Sequence, residues 1–147
     1  MLTITVDDRA FRAYLAELAQ RMDDLTPVMQ SIGQELETRI SARFETESDP
    51  TGAAWAPWAP ATLESYPDDG NGRILDRYSD LMGSLSWDAD ASSVRVGFGQ
   101  PYATYHEWGT RHMPRRGLLF DDPDAGSLTP EDDQLVVDML LSWLDGA

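Results

Sequence analysis

Both histidines of the chain stand in one short stretch, "GFGQPYATYHEWGTRHMPRR", Gly97 to Arg116, with a glutamate beside the first of them. Imidazole and carboxylate groups can hold a metal ion or move a proton, so His106, Glu107 and His112 are the first candidates for chemistry. Their spacing argues against it. A zinc-protease helix needs two histidines four residues apart with a glutamate next to the first. Here His106 and His112 are six apart, with Gly109 between them. No Gly-x-Ser-x-Gly turn presents a serine nucleophile, and there is no cysteine to activate or to bind zinc. "GFGQPY" lacks the remaining glycine and helix of a dinucleotide loop. A small metal-dependent hydrolase centred on His106, Glu107 and His112 is kept as the alternative reading. The main reading expects no catalytic residue, no metal and no cofactor.

The same stretch suits gripping another protein. Tyr102, Tyr105 and Trp108 carry large apolar area at small entropic cost, and Arg111, Arg115 and Arg116 are the one local basic cluster in an acidic chain. Aromatics and arginine are the usual anchors of protein interfaces. The arginines have two possible uses. They can pair within the chain, with acids such as Asp121 and Asp122, or dock on an acidic neighbour, which another copy of this chain would provide. The expected assembly interface is Tyr102, Tyr105, His106, Glu107, Trp108, Arg111, Arg115 and Arg116.

Charge narrows the partners. Eleven arginines and no lysine face 18 Asp and 8 Glu, a formal net charge of −15. Such a balance does not suit gripping phosphate backbones, which takes clustered cations. The Asp doublets at 7–8, 23–24, 68–69, 121–122 and 132–133 read as solvated surface. An all-arginine basic set fits a GC-rich genome, and the acidity also fits a strongly saline environment, where salt screens self-repulsion. No apolar run approaches the roughly 20 residues a membrane helix needs. "MLTITVDD" lacks the basic patch and long apolar run of a secretory signal, which predicts a cytoplasmic site of synthesis.

The elements that must position these groups follow from periodicity. The 147 residues fit a single domain. "LTITV" alternates and predicts a strand at residues 2–6. Asp8 can cap a first helix with a stripe of Phe11, Tyr14, Leu15, Leu18, Ala19 and Met22. Thr26 and Pro27 open a second helix running to about Glu47. Its stripe of Val28, Ile32, Leu36, Ile40 and Phe44 should face the sheet, and its polar face carries Glu35, Glu37, Arg39 and Arg43. Residues 48–72 read as a long ordered loop pinned by Trp55 and Trp58 and mobile near Pro67 to Gly72. Ile74, Leu75, Tyr78, Leu81, Met82 and Leu85 share a helical face, which predicts a short helix leading into a strand at Leu85–Asp88. "VRVGFG" alternates as the returning strand, with Val94, Val96 and Phe98 on one side. Pro101 opens a short element at Tyr102–Trp108, ended by Gly109. Thr129 and Pro130 begin a last helix with Glu131, Asp132 and Asp133 in its first turn. The fold class is α+β, a small antiparallel sheet flanked by long N-terminal helices and a C-terminal helix.

In that order, "DPTGAAWAPW", "RILDRYSDLMGSLSW", "VRVGFGQPYATYHEWGT" and "MPRRGLLF" resemble the phage virion morphogenesis family, the Mu-like and P2-like tail completion proteins of tailed phages. Asp49, Pro50, Gly52 and Trp55 fill the first family element, and Ile74, Leu75, Leu81 and Ser84 the second. Val94, Val96 and Gly97 fill the third, and Tyr102, Ala103, His106 and Gly109 the fourth. The match runs from about Phe44 to Phe120. Glu107 stands where the family usually has Gln, and Gly117 to Phe120 replace its Pro-Phe. The resemblance implies a non-enzymatic virion protein, assembled in the host cytoplasm, that completes the tail or joins it to the head. The partners it implies are further copies of itself in a hexameric ring and neighbouring neck and tail proteins. DNA would pass through the lumen without sequence-specific binding, and no membrane is involved.

Overall fold

A computed structural model describes residues 3–5 and 7–146. Of the strand expected at residues 2–6, Leu2 and Val6 lie outside the described residues, and Thr3 to Thr5 belong to no regular element. The elements run α1 (Arg9–Asp23), α2 (Thr26–Thr46), α3 (Pro60–Glu64), a 3-10 turn (Met82–Ser84), β1 (Leu85–Ala89), β2 (Val94–Phe98), α4 (Ala103–Trp108) and α5 (Pro130–Asp145). Helices plus one antiparallel two-stranded sheet make the fold α+β, with the long helices at the two ends of the chain.

The hairpin forms where alternation and turn chemistry agree. The Asp90 carboxylate accepts hydrogen bonds from the Ser92 and Ser93 N–H groups, at 2.9 and 2.8 Å, and so closes the turn. The register pairs Leu85 with Phe98, Trp87 with Val96 and Ala89 with Val94, which puts these apolar side chains on one face. α2 packs on that face. Its residue 33 must be glycine, because a Cβ there would lie 2.6 Å from the Trp87 ring. Trp87 in turn donates its indole N–H to Glu37 at 3.0 Å.

α2 carries two apolar clusters along its length. Val28, Met29 and Ile32 pack with Leu36, Val94, Met139, Leu140 and Trp143, joining α2 to the sheet and α5. Phe44 packs with Trp55, Leu81, Ala103 and Leu118, joining it to the loop and α4. Ile32, Ile40 and Phe44 are buried as their spacing demands, whereas Leu36 is half-buried at the flank.

Three expectations are corrected. The segment from Ile74 to Leu81 is not a helix. Leu75 and Ser79 take left-handed φ values of 59° and 63°, and the chain winds around a buried carboxylate. That carboxylate, Asp76, accepts from the Asn71 side-chain amide, the Arg73 guanidinium and both the N–H and hydroxyl of Ser79. Burial pushes its pKa up, and these hydrogen bonds outweigh burial and leave it below the usual carboxylate value. Local side-chain acceptors of this kind compete with helical hydrogen bonds, and here they win. Asp132 is not solvated surface. It is buried, accepting from Arg43 at 2.6 Å and Arg39 at 3.2 Å, and so ties α5 to α2. Arg43 correspondingly leaves the polar face and also donates to the Leu118 carbonyl at 2.6 Å.

The long loop contains α3 and is pinned as its tryptophans suggested. Trp55 is buried and donates to the Gly117 carbonyl at 3.0 Å, while Trp58 stacks on Tyr66 with ring centroids 4.6 Å apart. Within the span Pro67 to Gly72, the Gly72 N–H donates to the Tyr66 hydroxyl at 2.7 Å.

Candidate functional site

α4 is one and a half turns long, and its two faces differ. Ala103 and Glu107, four residues apart, point inward and are buried; Tyr102, Tyr105 and Trp108 stay exposed. A glutamate on the buried face requires donors, and the following segment supplies them. Glu107 Oε2 accepts from the N–H groups of Leu118 and Leu119, each at 2.8 Å. Oε1 accepts from the Phe120 N–H and the Arg115 guanidinium, each at 3.2 Å. A carboxylate has about four lone-pair sites, so none remains for a metal ion or a proton in transit.

The arginines are divided in the same way. Arg116 is buried, donating to the Ala56 and Pro57 carbonyls at 2.8 Å each, and burial lowers its pKa. Arg115 donates to the Glu107 and Phe120 carbonyls, at 2.7 Å each, besides its contact with the Glu107 carboxylate. Neither uses Asp121 or Asp122; their acceptors are backbone carbonyls and Glu107. Arg111 and His112 instead lie exposed at a turn closed by mutual Thr110–Met113 backbone hydrogen bonds.

Gly109 makes this fold-back possible. Its φ is 73°, a left-handed value that favours glycine, and a Cβ there would meet the Arg115 backbone N at 2.9 Å. The Arg116 N–H then reaches the His106 carbonyl at 2.8 Å. Of the remaining motif glycines, Gly52 sits in a turn whose Asp49 carboxylate accepts from Thr51 and Ala53, beside Pro50. Gly97 pairs with Ser86 in the hairpin, and nothing in the structure explains a glycine there.

His106 lines a cavity of about 550 Å³ with Trp58, Tyr66, Ile74, Tyr102 and Arg116. Its ring meets Tyr102 edge-on, and among the described residues its buried Nδ1 finds no hydrogen-bond partner. Burial first, and Arg116 second, lower its pKa from 6.5, so the ring is held neutral. His112 also borders this cavity, but the described residues contain no group of three His, Cys, Asp or Glu side chains able to hold a metal ion. The geometry therefore does not assemble His106, Glu107 and His112 into a hydrolytic centre.

Sequence reasoning found α4 and its aromatics and missed the inward turn of Glu107 and Arg116. One signal was available: Ala103 and Glu107 share a helical face, opposite Tyr105. The buried carboxylate Asp132 left none, because its donors Arg39 and Arg43 stand 93 and 89 positions away, whereas Asp76 had its donors Asn71, Arg73 and Ser79 close by in the sequence.

Comparison with known proteins then bears on the whole chain. The model of the phage virion morphogenesis family matches residues 6–145. No curated protein and no solved structure gives a match. No helix among the described residues is long and apolar enough to cross a membrane.

Proposed function

The chain belongs to the phage virion morphogenesis family, a virion structural role, and on that premise we propose that it is a tail-completion or neck subunit joining tail to head. It acts by contact and carries out no reaction. Copies of it form a ring, hexameric as the resemblance suggests, that contacts neighbouring neck and tail proteins. The ring's acidity suits a lumen through which DNA slides without sticking.

One observation carries this reading to particular residues. α4 is locked from behind by the four hydrogen bonds to Glu107, so Tyr102, Tyr105 and Trp108 are displayed on a rigid base. Rigid, exposed aromatics lose little entropy on docking, which is what an interface anchor needs. Arg111 and His112 lie beside them as the polar rim. Arg115, Arg116 and Glu107 act in this reading as the support of the surface. The test is the paired substitution Tyr105→Asp with Arg111→Glu in the phage. Expected are separate heads and tails, from a protein that melts like the wild type. Normal yields of joined, infectious particles would overturn the assignment of this surface.

A further inference from the structure

Helix α1 has the stripe of a buried helix and buries none of its residues. Phe11, Tyr14, Leu15 and Met22 remain 61%, 51%, 45% and 58% exposed. Together they expose roughly 400 Å², the size at which an apolar patch on a soluble protein marks a contact. The helix is nonetheless anchored. Arg21 donates to the Leu144 carbonyl at 3.0 Å, at the end of α5, and to Glu17 at 3.0 Å. The stripe is therefore held out in a fixed direction.

A second uncovered strip lies on α5, within the two turns before the point where its own α1 touches it at Leu144. Val137 and Leu141, one turn apart, are 46% and 55% exposed. The two strips differ in charge. α1 carries Arg9, Arg12 and Arg21 against Glu17 and Asp23, whereas α5 carries Glu131, Asp132, Asp133, Asp138 and Asp145 and no cation. Asp132 is paired internally, which leaves four acids on the surface of α5. Arg12 flanks the α1 stripe and, among the described residues, is bridged to the exposed Asp8, a pairing easily exchanged. Two α1 helices face to face would set their Arg12 flanks together and leave Val137 and Leu141 bare. α1 against α5 covers both strips and sets cations against anions.

We propose that α1 of one copy packs across the Val137–Leu141 strip on α5 of the next. The donor and receiver patches are different surfaces, so the contact is head-to-tail, and its repetition closes into a ring if the rotation allows. The inference rests on the self-assembly proposed above and names the surfaces that carry it.

Sedimentation of the full chain over a concentration series tests it, with Leu15→Glu, Phe11→Glu and Leu141→Glu. All three sites are exposed, so each variant should melt as the wild type does. Each should weaken self-association about tenfold or more, as loss of an interface anchor does. Mixing Leu15→Glu with Leu141→Glu leaves one intact junction, so the mixture should stop at dimers. Assembly by Leu141→Glu at wild-type strength, with Leu15→Glu impaired, would mean an α1–α1 contact and overturn the head-to-tail geometry. Wild-type assembly by every variant overturns the inference while leaving a ring seated on other surfaces. A wild-type chain that is monomeric at every concentration overturns it too, and the ring itself is then decided by the density of intact particles.

Discussion

The α4 segment and α1 look alike as stretches of sequence, each mixing aromatics with arginines, and the fold treats them oppositely. Around α4 the charged groups turn inward. Glu107 and Arg116 are buried and satisfied, while the outer aromatics stay exposed together with Arg111 and His112. On α1 the apolar stripe itself is left outside. The difference shows that charge is a poor guide to exposure when backbone donors and acceptors are nearby. An irregular segment such as Pro114 to Phe120 has N–H and C=O groups with no partner in a helix or sheet, and a buried carboxylate or guanidinium can satisfy several at once. Within its interior a regular helix satisfies its own backbone, so it needs fewer such polar contacts to hold its place.

The largest expected effect tests the inward half of the comparison. Glu107→Ala should cost about 3–5 kcal/mol, because it leaves three backbone donors without an acceptor at a buried site and removes the Arg115 ion pair. Urea unfolding measures it. A loss under about 1 kcal/mol would mean that the segment is no better anchored than a surface helix, and the contrast would fail.

A smaller effect concerns His106. Its folded pKa lies below 6.5, so on acidification the unfolded chain takes up a proton before the folded chain does. Stability should therefore be full above about pH 6.5 and decline as pH falls from there toward the depressed folded value. His106→Phe should flatten the melting temperature across that window. A wild-type profile that is already flat between pH 7 and 5 would show that the ring is not held neutral.

The smallest effect belongs to α1. Leu15→Ala should change the stability of the isolated monomer by less than about 0.5 kcal/mol, the range for surface substitutions. A loss of about 2 kcal/mol or more, typical of a core leucine, would place the stripe inside and erase the contrast.

Periodicity alone determined where the long helices lie, because an amphipathic stripe is a local property. Of the expected caps, Asp8 makes no capping hydrogen bond and Thr26 falls inside α2, behind Leu25. α2 begins at Thr26 and α5 at Pro130, with the Thr129 hydroxyl accepting from the Asp132 N–H as a capping threonine should. Alternation likewise determined the hairpin and the face on which Val94, Val96 and Phe98 lie. The order of short motifs determined the family. What only tertiary structure decided is which polar groups go inside. Asp132 satisfies every local rule for a helix's exposed first turn, yet it is buried because Arg43, 89 positions away, reaches it. Ile74 to Leu81 has helical spacing, yet it coils because Asp76 gathers its neighbours' donors. α1 has the stripe of a core helix, yet it stays outside because α2 and α5 already bury each other's apolar faces against the hairpin. For Asp132 and for α1 the deciding partner is distant in sequence, and a local pattern contains no record of it; for Asp76 the donors are local, but hydrophobic spacing carries no information about them.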